Sequence, residues 1–74
     1  MISRCKANAM TTVRLARESG KLNAQGLAML DELSAWLASD TCQFAMLGFG
    51  GDAPTGFDSS MLQHIYTAYK AEAK

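Results

Sequence analysis

The chain has 74 residues, 49% apolar and 19% charged, and its seven basic and seven acidic side chains leave no formal net charge. That length admits one domain, the apolar share is too high for intrinsic disorder, and no apolar run approaches the ~18 residues of a membrane-spanning helix. One histidine and two distant cysteines, Cys5 and Cys42, exclude a disulfide framework and a cysteine–histidine metal set, so no metal or cofactor is expected.

Residues 1–10 carry Arg4 and Lys6 but no continuous apolar stretch, so they do not read as a secretory leader and a cytoplasmic location is expected. From about residue 3 to 19, Ile2, Cys5, Ala9, Val13 and Ala16 share one arc at ~100° per residue, with Lys6, Arg14, Arg17 and Lys21 on an adjoining arc. The reading is an amphipathic helix with a basic edge, its first residues prone to fraying. Gly20 stops it, because glycine takes the left-handed conformation past a helix end at little cost.

Asn23 then caps a second helix over about 24–39, with Leu22 and Leu27 at the two positions of a hydrophobic staple. Leu27, Met29, Leu30, Leu33, Trp36 and Leu37 spread over about half of its circumference, wider than the ~100° stripe of a helix lying on one core. Ala24, Ala28 and Ala35 cover part of the rest. This leucine-rich helix is therefore expected at the centre, packed on two sides or at a subunit interface.

Asp40-Thr41-Cys42-Gln43 fits a capping box that opens a short helix through about Leu47, although Cys42 to Leu47 also suits a short buried strand. Gly48 ends that element, with Phe49 reaching back toward Phe44. Residues 48–57 hold four glycines and the only proline, which makes them a loop. The last helix starts at Asp58, with a second staple of Phe57 and Leu62, and runs to about residue 71. Met61, Leu62, Ile65, Tyr66 and Tyr69 take one face; Gln63, His64, Thr67, Lys70 and Lys74 take the other.

The neutral total hides a segregation of charge. Residues 1–30 carry Arg4, Lys6, Arg14, Arg17 and Lys21 against Glu18, a net +4; residues 31–60 carry Asp31, Glu32, Asp40, Asp52 and Asp58 with no base, a net −5. Such polarity steers association with an oppositely charged surface.

Catalytic chemistry finds little footing. His64 falls on a solvent face without a fixed neighbour, and adjacent Asp31 and Glu32 diverge by ~100° on a helix, so they do not form a working carboxylate pair. Gly48-x-Gly50-x-x-Ala53 matches the letters of a dinucleotide fingerprint, but a βαβ unit to place it is missing, and a plain inter-helix loop is the simpler reading. Phe49 and Phe57 flank that loop as candidate contacts.

The segment Leu15-Ala16-Arg17-Glu18-Ser19-Gly20-Lys21-Leu22-Asn23-Ala24-Gln25-Gly26-Leu27 resembles the helix-turn-helix pattern: an alanine in a first helix, a turn glycine, an apolar residue, a cap and a second helix. That resemblance implies a DNA-binding regulator built on the hairpin of residues 12–38, with Arg14, Arg17 and Lys21 reaching phosphates. The second helix itself offers Asp31 and Glu32 and no base, which favours a protein partner over nucleic acid.

The expectation is thus an all-α domain over residues 1–74, with three principal helices and a short fourth element, and a non-enzymatic protein that docks an apolar helical surface. Its partner is a second copy of itself, or a larger protein with an acidic-rimmed apolar groove, and not a membrane. Leu27, Met29, Leu30, Leu33, Trp36, Leu37 and Phe49 form the expected interface, with Trp36 its anchor and Arg14, Arg17 and Lys21 steering.

Overall fold

The computed structural model describes residues 4–44 and 51–72. The protein is all-α: α1 spans Arg4–Ser19, α2 Ala24–Ala38 and α3 Ser59–Glu72, and among the described residues there is no strand.

Helix α1 turns inward Asn8, Ala9, Thr12, Val13 and Ala16, a ridge of small side chains at helical spacing. Small side chains let neighbouring helices approach closely, and α1 packs against both α2 and α3 more extensively than those two pack against each other. The hub of the fold is therefore α1, not the leucine-rich helix. Leucines supply the filling: Leu30, Leu33 and Leu37 of α2 and Ile65 of α3 are fully buried, joined in one core by Val13, Leu62, Ala68, Cys42 and Phe44.

The two buried polar residues of α1 are satisfied. Thr12 Oγ1 donates to the Asn8 carbonyl at 3.1 Å, and Asn8 Nδ2 donates to the Gly51 carbonyl at 2.9 Å. The latter bond spans 43 positions and anchors the chain leading into α3 against α1.

The ends of the helices follow their capping chemistry. Gly20, at φ 70°, ends α1 in the left-handed region. Asn23 Oδ1 accepts from the Gly26 amide at 2.9 Å and starts α2; Asp58 Oδ1 accepts from the Ser60 amide at 2.8 Å and starts α3. Of the first staple pair, Leu22 packs on the core while Leu27 stays 40% exposed. In the second, Leu62 is buried and Phe57 packs half-buried against the same core.

The capping box at residue 40 does not open a helix over the described residues. After α2 the chain makes a turn at 40–41 and then runs without regular structure through Phe44, while residues 45–47 lie outside the described residues. The organising residue is Ser39: its Oγ accepts from the Thr41 amide at 3.2 Å, and its carbonyl accepts from the Cys42 amide at 3.3 Å. Lys6 reaches across from α1 and donates to the Ser39 and Cys42 carbonyls at 3.1 and 3.2 Å. Phe44 ends the segment at φ 45°, a conformation that costs a side-chain-bearing residue about 1–2 kcal/mol. Its ring is 3% exposed and its amide donates to Glu72 Oε2 at 3.1 Å, so packing and a charged acceptor offset that strain. A tertiary clasp thus outcompetes the local helix signal.

Candidate interaction surfaces

Helix α2 presents different chemistry on each flank. On the α3 flank, Trp36 meets Phe44 edge to face at 5.8 Å between centroids and Tyr69 at 5.3 Å. Tyr66 lies 6.2 Å from Tyr69, which extends the cluster along α3. Such separations fall in the favourable range for aromatic pairs, worth about 0.5–1.5 kcal/mol each beyond their buried area. Phe44 is buried, whereas Trp36, Tyr66 and Tyr69 are only half-buried and leave a face of aromatic surface in solvent.

Two opposite charges border this face. Lys70 Nζ sits 5.3 Å above the Tyr66 ring centroid and 5.8 Å from that of Tyr69. The Tyr66 phenol beside it, first, and the nearby Glu32 carboxylate, last and least, hold the Lys70 ammonium above its ordinary value. Glu32 is exposed one turn before Trp36 on α2.

On the α1 flank, Arg17 Nη2 donates to Asp31 Oδ1 at 2.7 Å across the helix pair. Next to that ion pair lies a shallow groove of about 120 Å³, lined by Met10, Val13, Arg14 and Arg17 from α1 and Ser34 and Leu37 from α2.

The expected interface is divided by this arrangement. Leu30, Leu33 and Leu37 are consumed by the chain's own core, because α1 and α3 cover α2 from two sides. These three leucines therefore do not offer the free docking surface read from the helical wheel. Met29 and Trp36 are half-buried beside them, and Leu27 is exposed. Arg14 and Lys21 are exposed on α1 and the turn after it, while Arg17 is engaged with Asp31. Phe49 lies outside the described residues.

Tyr66, Tyr69, Lys70 and Glu32 were not among the expected interface residues. The signal was there: Tyr66 and Lys70 stand at i and i+4, a spacing that brings a cation over the preceding turn's ring. Assigning Lys70 to the polar face of α3 concealed it. Lys6, read as part of a basic edge, works instead as an internal clasp on residues 39–42.

Other chemistry is sparse. Cys5 and Cys42 are both free thiols, and burial pushes the Cys42 thiol above its ordinary value. His64 is exposed on α3. Among the described residues, no three His, Cys, Asp or Glu side chains gather closely enough to hold a metal ion, and no helix is long and apolar enough to cross a membrane. Comparison with protein-family models, with curated proteins and with solved structures returns no match.

Proposed function

We propose that this chain is a small non-enzymatic interaction protein that pairs with a second copy of itself through the aromatic face of α2 and α3. The observation that carries this reading is the half-buried trio Trp36, Tyr66 and Tyr69, bordered by Glu32 and Lys70. Tryptophan and tyrosine at the centre of a patch are the residues that most often dominate association energy. A two-fold interface brings each edge of the patch against the other edge of its copy. Glu32 and Lys70 stand near each other at the border of the patch, and in a two-fold pairing Glu32 of each protomer also meets Lys70 of its partner, which makes the face complementary to itself.

In this role the protein is a cytoplasmic regulator, inhibitor or assembly component whose active form is the dimer. Helix α2 carries Asp31 and Glu32 and no base, and Arg17 is neutralised by Asp31, so the hairpin of residues 12–38 lacks the positive second helix that DNA reading demands.

Sedimentation at tens of micromolar tests the reading. The wild-type chain is expected to run heavier than the 8.0 kDa monomer. Lys70→Glu and Glu32→Lys are each expected to return it to monomer, and the double exchange to restore the dimer. A wild-type monomer overturns the pairing, as does a double exchange that stays monomeric while each single variant remains folded. Duplex DNA binding at low salt that weakens steeply as salt rises would favour the helix-turn-helix function instead.

A further inference from the structure

The geometry points to a second binding site, the α1–α2 groove, which takes an acidic peptide segment by seating one leucine-sized side chain between Arg14 and Arg17. It lies on the opposite flank of α2 from the aromatic face and does not depend on self-association.

The apolar side of the groove is Met10, which is half-buried, with Val13 and Leu37 buried behind it, and its volume is about 120 Å³. An apolar cavity of about 150 Å³ holds one benzene, so this groove accepts a single aliphatic side chain and little more. It is far smaller than the ~300 Å³ or more of a typical small-molecule pocket. A free ligand would therefore bury few atoms, whereas a peptide extends contact beyond the socket. The structure supplies a place for that extension. Leu27, Asp31 and Ser34 follow one another at i, i+4 and i+7 along the α2 edge that meets α1, and Leu27 is the large apolar side chain left 40% exposed.

Charge selects the peptide. Arg14 and Arg17 line the groove at i and i+3 on α1, where carboxylates next to the inserted side chain would meet them, and Lys21 is exposed in the turn beyond Gly20. Arg17 is now held by Asp31, but the two side chains are 50% and 77% exposed. An ion pair so open to water is weak, and an incoming carboxylate exchanges with Asp31 at little cost. Asp31 thus works as an intramolecular competitor for the peptide's acid, which gives the test its sign.

The probe is the capped tripeptide acetyl-Asp-Leu-Asp-amide, titrated to several millimolar into the isotope-labelled chain while the methyl resonances of Met10, Val13 and Leu37 are followed. Saturable shifts confined to those methyls are expected. Arg14→Gln is expected to weaken binding by about fivefold and Asp31→Asn to tighten it by about two- to fivefold, as loss of one exposed charge contact and release of a competitor predict. Both positions are exposed, so the fold survives either change. Absence of saturable shifts overturns the proposal, as does equal binding of acetyl-Lys-Leu-Lys-amide or weaker binding to Asp31→Asn. Hexanoate that binds as tightly as the peptide overturns the peptide assignment in favour of a free carboxylate. Lys70→Glu, which breaks the aromatic face, is expected to leave peptide affinity unchanged, so failure of one surface is distinguishable from failure of the other.

Discussion

The aliphatic centre and the aromatic face share helix α2 and are separated by less than one turn, yet they are built for different ends. Leu30, Leu33 and Leu37 reach complete burial against α1 and Ile65, whereas Trp36, one residue before Leu37, stops half-buried between Phe44 and Tyr69. The centre is closed by methyl groups that need only volume. The face is made of rings with polar tips, which tolerate water at one edge and a partner at another. A domain this small has roughly 3–5 kcal/mol of net stability at most, so the half-exposed aromatic area is the surface that the proposed pairing would bury.

Cutting the centre gives the largest effect. Leu33→Ala is expected to remove about 2–5 kcal/mol, because the close-packed helices relax only partly into the cavity. Measured by urea unfolding followed in the far ultraviolet, that loss leaves the variant largely unfolded in buffer. Tyr69→Ala on the aromatic face is expected to cost the monomer only about 1–2 kcal/mol, since the side chain is half-buried and loses two ring contacts. Under the proposed pairing its main expected consequence is loss of the heavier species in sedimentation. If Tyr69→Ala destabilises as strongly as Leu33→Ala, the two regions are one core and the distinction fails.

How far the sequence discloses these regions depends on whether the signal is local. Helix starts at Asn23 and Asp58 and the stop at Gly20 were legible because each is made by a side chain or glycine acting within three residues. The amphipathic patterns placed Ala9, Val13 and Ala16 of α1 and Leu62 and Ile65 of α3 inward but missed the buried Asn8, Thr12 and Ala68. Three features stayed hidden for one reason, that distant residues decide them. The capping box at Asp40 gives way to Lys6 and Glu72, which reach the 39–44 segment from α1 and α3. The breadth of the apolar arc on α2 left two-sided packing and a subunit interface both open, because a helical wheel does not reveal which neighbours cover it. The α1–α2 groove is likewise a property of a pair of helices, and neither sequence segment announces it.

Cys42 lies at the junction of the two regions, in contact with the aliphatic core and two residues before Phe44. Burial, the largest influence, raises its thiol above the usual value of 9.0; Lys6 opposes this and Glu72 adds to it. With the folded value above the unfolded one, the native state holds its proton longer. The contribution is therefore full at neutral pH and is lost as the pH rises past 9.0 toward the folded value. Urea unfolding at neutral and alkaline pH is expected to show a steeper decline for the wild-type chain than for Cys42→Ala. Equal slopes would mean that the thiol is as free to ionise in the fold as in the unfolded chain.

The smallest effect belongs to the flank that is neither core nor aromatic face. Arg17 and Asp31 form a short ion pair with both side chains half or more exposed, and pairs of that kind contribute about 0.2–1 kcal/mol at most. Asp31→Asn is expected to fall within that range by urea unfolding, and to lose even this difference in molar salt, where screening acts within about 3 Å. A salt-insensitive loss well above the range would show that the pair braces α1 against α2. Small and salt-sensitive, the change leaves the helix pair intact while freeing the Arg17 guanidinium, which is the condition under which the same substitution strengthens capture of an acidic peptide.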